Sequence, residues 1–116
     1  MIRTVTALRL ITRDELKQKL DEGDDLKLVC ALRAYAYRAM HIPGSIHVDT
    51  REAAAELLER SDQIVVYCTN VNCPASIVLY EQLVQDGYED VCRYAGGLED
   101  WESAGYALAG ESLDGE

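Results

Sequence analysis

Short, almost continuous apolar runs alternate along the chain with longer segments whose apolar residues recur at helical spacing. LKLVCAL at 26–32 is mostly apolar and bounded by polar residues, as a strand covered on both faces would be. QIVVY at 63–67 shows the same signature most clearly, and DVCRY at 90–94 gives a later strand. Pro43 and Gly44 force a turn before a brief strand at Ile46, His47 and Val48. The helical segments fall between these runs. An apolar-rich stretch at 5–10 precedes TRDE, where Thr12 as N-cap and Glu15 three residues on predict a capping box. The helix that follows turns Leu16 and Leu20 inward and ends near Gly23. RAYAYRAM at 33–40 reads as helical, as does REAAAELLER at 51–60 with Asp49 or Thr50 as its cap. Pro74 starts a helix whose inner face is Ile77, Leu79, Tyr80, Leu83 and Val84, ending at Gly87. LEDWESAG at 98–105 gives a last, short helix that lays Leu98 and Trp101 against the body.

Strands alternating with helices through short connections imply βαβ units, and so an α/β fold with a mostly parallel sheet flanked by helices. In such sheets the ligand site lies beyond the carboxyl ends of the strands. The 116 residues suit one domain, 1–116, with residues 109–116 expected to form a flexible tail. Eleven basic residues against 21 acidic ones leave a net charge of -10, which repels phosphate backbones and anionic lipid surfaces. Nucleic acid and membrane are therefore not expected partners. No apolar stretch approaches the ~20 residues that span a bilayer, and MIRTVTALRL lacks a signal peptide's long apolar core, so the expectation is a soluble cytoplasmic protein. Cys30, Cys68, Cys73 and Cys92 are too few and too widely spaced for a disulfide scaffold and are expected as free thiols.

The chemistry concentrates in VVYCTNVNCPAS at 65–76, where two cysteines separated by four residues stand between a strand and a helix. Metal ligands, a disulfide, a nucleophile with a helper, or two buried thiols would all fit that spacing. A cysteine at this junction meets backbone N–H groups that lack intrahelical partners, which favour an anion and should lower the thiol pKa toward or below neutrality. The same cradle would hold a persulfide sulfur or a bound oxyanion. Thr69, Asn70 and Asn72 are small and polar enough to shape the loop without closing it. This placement favours a reactive Cys68 over a packed strand-end thiol. A structural zinc site would need a second ligand pair, which the chain does not offer beside Cys68 and Cys73, so no metal is expected.

Three segments resemble the rhodanese family of sulfurtransferases: YRAMHIPGSIHV is similar to its turn motif Y-x-x-G-H-I-P-G-A, IVVYC to the strand that delivers its active cysteine, and YAGGLEDWESAGYAL to its closing G-G-x-x-x-W-x-x-x-G segment. Together they stand in family order over about residues 12–108. The resemblance implies a rhodanese-like parallel sheet of about five strands with helices on both faces. It implies that Cys68 accepts a sulfane sulfur from thiosulfate or another persulfide and passes it to a thiol or other acceptor, a protein thiol included, without a cofactor. The family's six-residue active loop maps onto Cys68, Thr69, Asn70, Val71, Asn72 and Cys73. The related phosphatase branch has a loop one residue longer ending in arginine; this loop has no arginine to hold a phosphate.

Two departures bear on the chemistry. The sixth loop position, often Arg or Lys in the family, is Cys73, which leaves Arg51 and Arg38 as the nearest candidate cations in sequence and predicts thiosulfate to be a modest donor. Cys73 is either a resolving thiol for Cys68 or a small residue that fits beside a helix start, and spacing alone does not show that the sulfurs meet. Where the family commonly ends its first strand in D-V-R, ungapped counting gives Cys30 and Leu32 at the acid and arginine positions, and Arg33 replaces the arginine only if the register shifts. His41 is expected to fix its turn by a hydrogen bond, His47 to face either way, Cys92 to lie in the core, and Gly96 and Gly97 to let the backbone pass close to the loop. A sulfurtransferase working through a Cys68 persulfide is the first functional expectation. The alternative is a non-catalytic module that binds partners or senses oxidants through Cys68 and Cys73.

Overall fold

The structure, a computed structural model, describes residues 9–111. The capping box forms: Thr12 Oγ1 accepts from the Glu15 N–H at 3.1 Å while Glu15 Oε1 accepts from the Thr12 N–H at 3.0 Å. It launches α1 (Arg13–Asp21), which buries Leu16 completely. In order follow β1 (Leu26–Cys30), α2 (Ala34–Ala39), β2 (Ile46–His47), α3 (Arg51–Leu57), β3 (Gln63–Tyr67), α4 (Ala75–Gln85), β4 (Asp90–Tyr94) and α5 (Gly97–Ser103). Thr50 caps α3, its hydroxyl accepting from the Ala53 N–H at 3.0 Å. Pro74 takes the position just before α4, where a missing N–H costs nothing.

The strands form one parallel sheet in the order β2-β1-β3-β4. Four strands stand among the described residues where five were expected. Leu10 makes only a single bridge beside Arg93, with the Arg93 N–H donating to Arg9 O at 2.8 Å and the Ile11 N–H to Arg93 O at 3.1 Å. On its C-terminal side the cap at Thr12 turns the chain into α1. Residues 1–8, which hold most of the apolar stretch, and 112–116, most of the expected tail, lie outside the described residues. Ala109, the first residue of that tail, exchanges two backbone hydrogen bonds with His41, at 2.8 and 2.9 Å.

Strand side chains alternate between faces, so each strand feeds two cores. Val29, Ile64, Val66 and Val91 pack under α3 and α4 with Ala54, Leu58, Leu79, Tyr80 and Leu83. Leu28, Cys30, Val65, Tyr67 and Tyr94 pack under α1 and α5 with Leu16, Leu98 and Trp101. Covering both faces explains why β3 reads as a continuous apolar run. Cys92, expected in the core, is only half-buried at the margin of the second cluster because β4 neighbours a single bridge on that side. Among the described residues no helix is long and apolar enough to cross a membrane. The strand order reverses between β1 and β3: α2 leaves β1 toward one face and α4 leaves β3 toward the other, opening a crevice at their carboxyl ends.

Candidate active site

β3 ends at Tyr67, and the loop 68–73 begins in that crevice. Its start is gripped from the β4 side. Gly97 adopts φ +63°, a conformation that favours glycine, and a Cβ there would collide with the Cys68 carbonyl. That close approach lets the first N–H groups of α5 donate to the loop, Leu98 N–H to Cys68 O and Glu99 N–H to Thr69 O, both at 2.9 Å. Further along, Asn70 closes the turn on itself. Its Oδ1 accepts from the Asn72 N–H at 3.0 Å, its carbonyl accepts from the Cys73 N–H at 3.1 Å, and its Nδ2 reaches Glu99 at 3.4 Å. Thr69, Val71 and Asn72 are exposed, Val71 by 60%.

Cys68 is buried, and its Sγ lies 3.2 Å from Ser76 Oγ and 3.5 Å from Cys73 O. Cys68 Sγ thus reaches the main chain of the loop's sixth residue, and the Cys68 and Cys73 thiols are near enough to influence each other's ionisation. Burial is the main force on the Cys68 thiol and pushes its pKa up; the Cys73 thiol adds to the rise, and the N–H and hydroxyl of Ser76 only partly oppose it. The expected lowering at Cys68 is thus not what the geometry produces. Two loop amides serve Asn70 instead of a sulfur, and desolvation outweighs the rest. Cys73, half-buried, moves the other way: burial opposes ionisation but is outweighed by the Cys68 thiol, the backbone of Thr69 and Ala75, and the charge of Arg93.

Arg93 is the residue that sequence reasoning missed. It is 4% exposed and projects from β4 on the face of Val91, under α4. Its Nε donates to Ser76 Oγ at 2.9 Å and its Nη2 to Val71 O at 3.2 Å. The signal lay in the strand alternation, since DVCRY places Arg93 two residues from Val91 and so on an inner face. Arg51, by contrast, pairs with Asp86 at 3.2 Å and Gln85 at 2.7 Å at the far end of α4, away from the loop. Arg38 lies exposed on the last turn of α2. Neither has a hydrogen bond or ion pair with residues 68–73. Arg33 lines a cavity of about 420 Å³ with Ala31, Tyr35, Asp49 and Ala75, and a second cavity of about 290 Å³ shares Ala31, Asp49 and Ala75 with it.

On the β1 side the supports are neutral. Cys30 is fully buried at the end of β1, where the family's acid was expected, and Leu32 is half-buried. Tyr67 Oη accepts from the Ile42 N–H at 2.9 Å and lies 2.8 Å from Ser45 Oγ, which in turn donates to Ile42 O at 2.7 Å. The His41 ring stacks on Tyr37 and its Nδ1 contacts Tyr37 O at 2.7 Å, fixing the turn as expected. His47 turns its Nε2 to Leu32 O at 2.7 Å.

The loop thus brings together a buried thiol at a strand end, a second, half-buried thiol and a buried cation beneath them. Residues 12–104 match the family model described as Rhodanese-like domain. The chain is 32% identical over 100 residues to the HTH-type transcriptional regulator Rv0324 of Mycobacterium tuberculosis, a match covering 82% of this chain and 42% of the regulator. It thus spans less than half of that relative. It is 33% identical over 79 residues to the thiosulfate sulfurtransferase GlpE of Pseudomonas savastanoi pv. phaseolicola, covering 66% of this chain and 72% of that one. The solution structure of the rhodanese-like domain of the Alr3790 protein from Anabaena superposes with a TM-score of 0.83 at 24% identity, over 95% of this chain and 85% of that one, a likeness of fold.

Proposed function

Because the chain belongs to the rhodanese-like domain family, we propose that it is a sulfurtransferase in which Cys68 carries sulfane sulfur as a persulfide between a small donor and a thiol acceptor. The observation that carries this reading is the place of the buried Cys68 sulfur at the carboxyl end of β3, against the Cys73 carbonyl and the Ser76 hydroxyl that Arg93 holds from beneath. A thiolate at Cys73 can take the Cys68 proton as the Cys68 sulfur attacks. That attack forms the Cys68 S–S bond and breaks the donor's S–S bond, releasing sulfite from thiosulfate or a thiolate from a persulfide donor. An acceptor thiolate then attacks the outer sulfur and displaces Cys68. With no basic side chain in the loop, dianionic thiosulfate is the poorer donor and a persulfide the better one.

The nearness of the two thiols favours a second reading. Oxidation of the two thiols, with their protons and two electrons passing to a peroxide, would close a Cys68–Cys73 disulfide, and a module so switched would suit a regulator such as the relative Rv0324. Mass spectrometry after treatment with a persulfide donor separates the two readings. One added sulfur on Cys68, passed on to a small thiol, and at least a ~100-fold loss of transfer in Cys68→Ser are expected. Wild type and Cys68→Ser equally inert with every donor would overturn the enzymatic reading.

A further inference from the structure

A guanidinium stays charged at any pH a protein tolerates, so burying one without a carboxylate calls for another source of negative charge nearby. Arg93 is such a group: it is 4% exposed, and among the described residues no Asp or Glu pairs with it. Its two hydrogen bonds both lead to the loop, through Nε to Ser76 Oγ at 2.9 Å and through Nη2 to Val71 O at 3.2 Å. Ser76 is itself fully buried, and its Oγ stands 3.2 Å from Cys68 Sγ. The Cys68 thiol donates to Ser76 Oγ, and once that sulfur is ionised a hydroxyl already accepting from Arg93 can turn its own proton to it.

We propose that Arg93 is the positioning cation of this site, holding one negative charge on the Cys68–Cys73 pair and, through Ser76, turning a hydroxyl proton toward the Cys68 sulfur. The role rests on the sulfur-transfer reading only in giving that anion a use. Arg93 does from below what a basic residue at the sixth loop position would do from the rim. It thereby leaves that position free for a second thiol.

The other groups around the pair do not duplicate the role. Cys30 from β1 and Tyr67 from β3 add no positive charge, and Glu99 from α5 and Asp49 before α3 are acids. Arg33, at the start of α2, is exposed across the cavity beside Ala75. Arg9 is engaged with Asp90 at 3.0 Å. The lowering of the Cys73 thiol, to which Arg93 contributes, agrees with this geometry.

The test reads alkylation by iodoacetamide separately at Cys68 and Cys73 across a pH series, by peptide mass spectrometry on the free protein without donor. Its outcome is therefore independent of whether sulfur is transferred. In Arg93→Gln the midpoint of the first thiol ionisation should rise by about one unit, so that Cys73 reacts roughly tenfold more slowly near neutrality. Arg93→Lys, which keeps the charge, should recover most of that shift. Ser76→Ala should raise the Cys68 midpoint and leave that of Cys73 in place. A folded Arg93→Gln with wild-type midpoints overturns the proposal. Should Arg93→Gln not fold, an unchanged Cys68 profile in Ser76→Ala overturns it instead.

Discussion

The two strands beside β3 support the reactive loop in opposite ways. On the β4 side the contacts are intimate and charged: α5 donates two backbone hydrogen bonds to Cys68 and Thr69, Gly97 permits the approach, and Arg93 lies beneath. On the β1 side they are neutral. The Ala31 N–H donates to Tyr67 O at 2.9 Å, Cys30 packs against Tyr67, and a Tyr67–Ser45–Ile42 network ties in the β2 turn. Cys30 and Leu32 stand where counting places the family's acid and arginine, Arg33 lines the neighbouring cavity, and the buried cation of the site comes from β4. A loop of this kind can be held from either flank. The charged flank reaches the Cys68 sulfur through Ser76, and its Arg93 adds the smallest of the contributions that lower the Cys73 thiol, after the Cys68 thiol and the backbone of Thr69 and Ala75.

The largest effect should come from breaking the β4 grip. Gly97→Ala puts a methyl group onto the Cys68 carbonyl from a residue at φ +63°, so the α5 start must withdraw from the loop. A loss of roughly 2–4 kcal/mol of stability is expected, combining the left-handed backbone with the collision. Urea denaturation measures it. A loss below ~1 kcal/mol would mean that the α5 contact is loose and that the two flanks are more alike than their geometry indicates.

Most of this architecture was legible beforehand because it rests on local signals. QIVVY and DVCRY became β3 and β4 without change of bounds, and Thr12 with Glu15 formed the capping box. The loop between β3 and α4 followed from the order of elements; of the two glycines expected beside it, Gly97 makes the close approach, whereas Gly96 faces the Asp100 side chain. What could not be read was set by tertiary placement. Whether a cradle lowers a thiol pKa depends on which amides are already engaged, and Asn70 takes two of them. Arg38 and Arg51 are the nearest cations in sequence, whereas Arg93 lies 20 residues past Cys73 and reaches the loop only because β4 pairs with β3. Among the described residues the expected fifth strand is reduced to a single bridge at Leu10, again a matter of tertiary pairing.

A smaller effect tests the neutral flank. Tyr67→Phe keeps the ring in the core but removes the oxygen that accepts from the Ile42 N–H and faces Ser45, leaving a buried donor without its partner. A loss of about 1–3 kcal/mol is expected by urea denaturation. The alkylation profile of Cys73 should stay where it was, because no charge has changed. A shifted Cys73 midpoint would show that the β1 side also sets the acidity of the pair.

The smallest effect separates the flanks by pH. Burial, first of all, pushes the Cys30 thiol above its ordinary value, with Cys68 and Cys73 adding to the rise and the Leu32 backbone and Tyr67 opposing it. The unfolded thiol loses its proton near pH ~8.5. Over the range between that value and the higher folded one, the native state holds more protons than the unfolded chain. The stability Cys30 contributes is therefore complete below the unfolded pKa and lost as pH rises through the folded one. Cys68 and Cys92 share this sign. Cys73 has the opposite one, its contribution being present above the unfolded pKa and lost as pH falls through the lowered folded value. Each thiol steepens or offsets the alkaline limb by at most about 1.4 kcal/mol per pH unit. Cys30→Ala should cost about 1 kcal/mol at neutral pH through lost packing and make that limb shallower. Urea midpoints across an alkaline pH series measure both. An unchanged limb would mean that the β1 flank does not hold its thiol protonated, and the difference between the flanks would then rest on Arg93 alone.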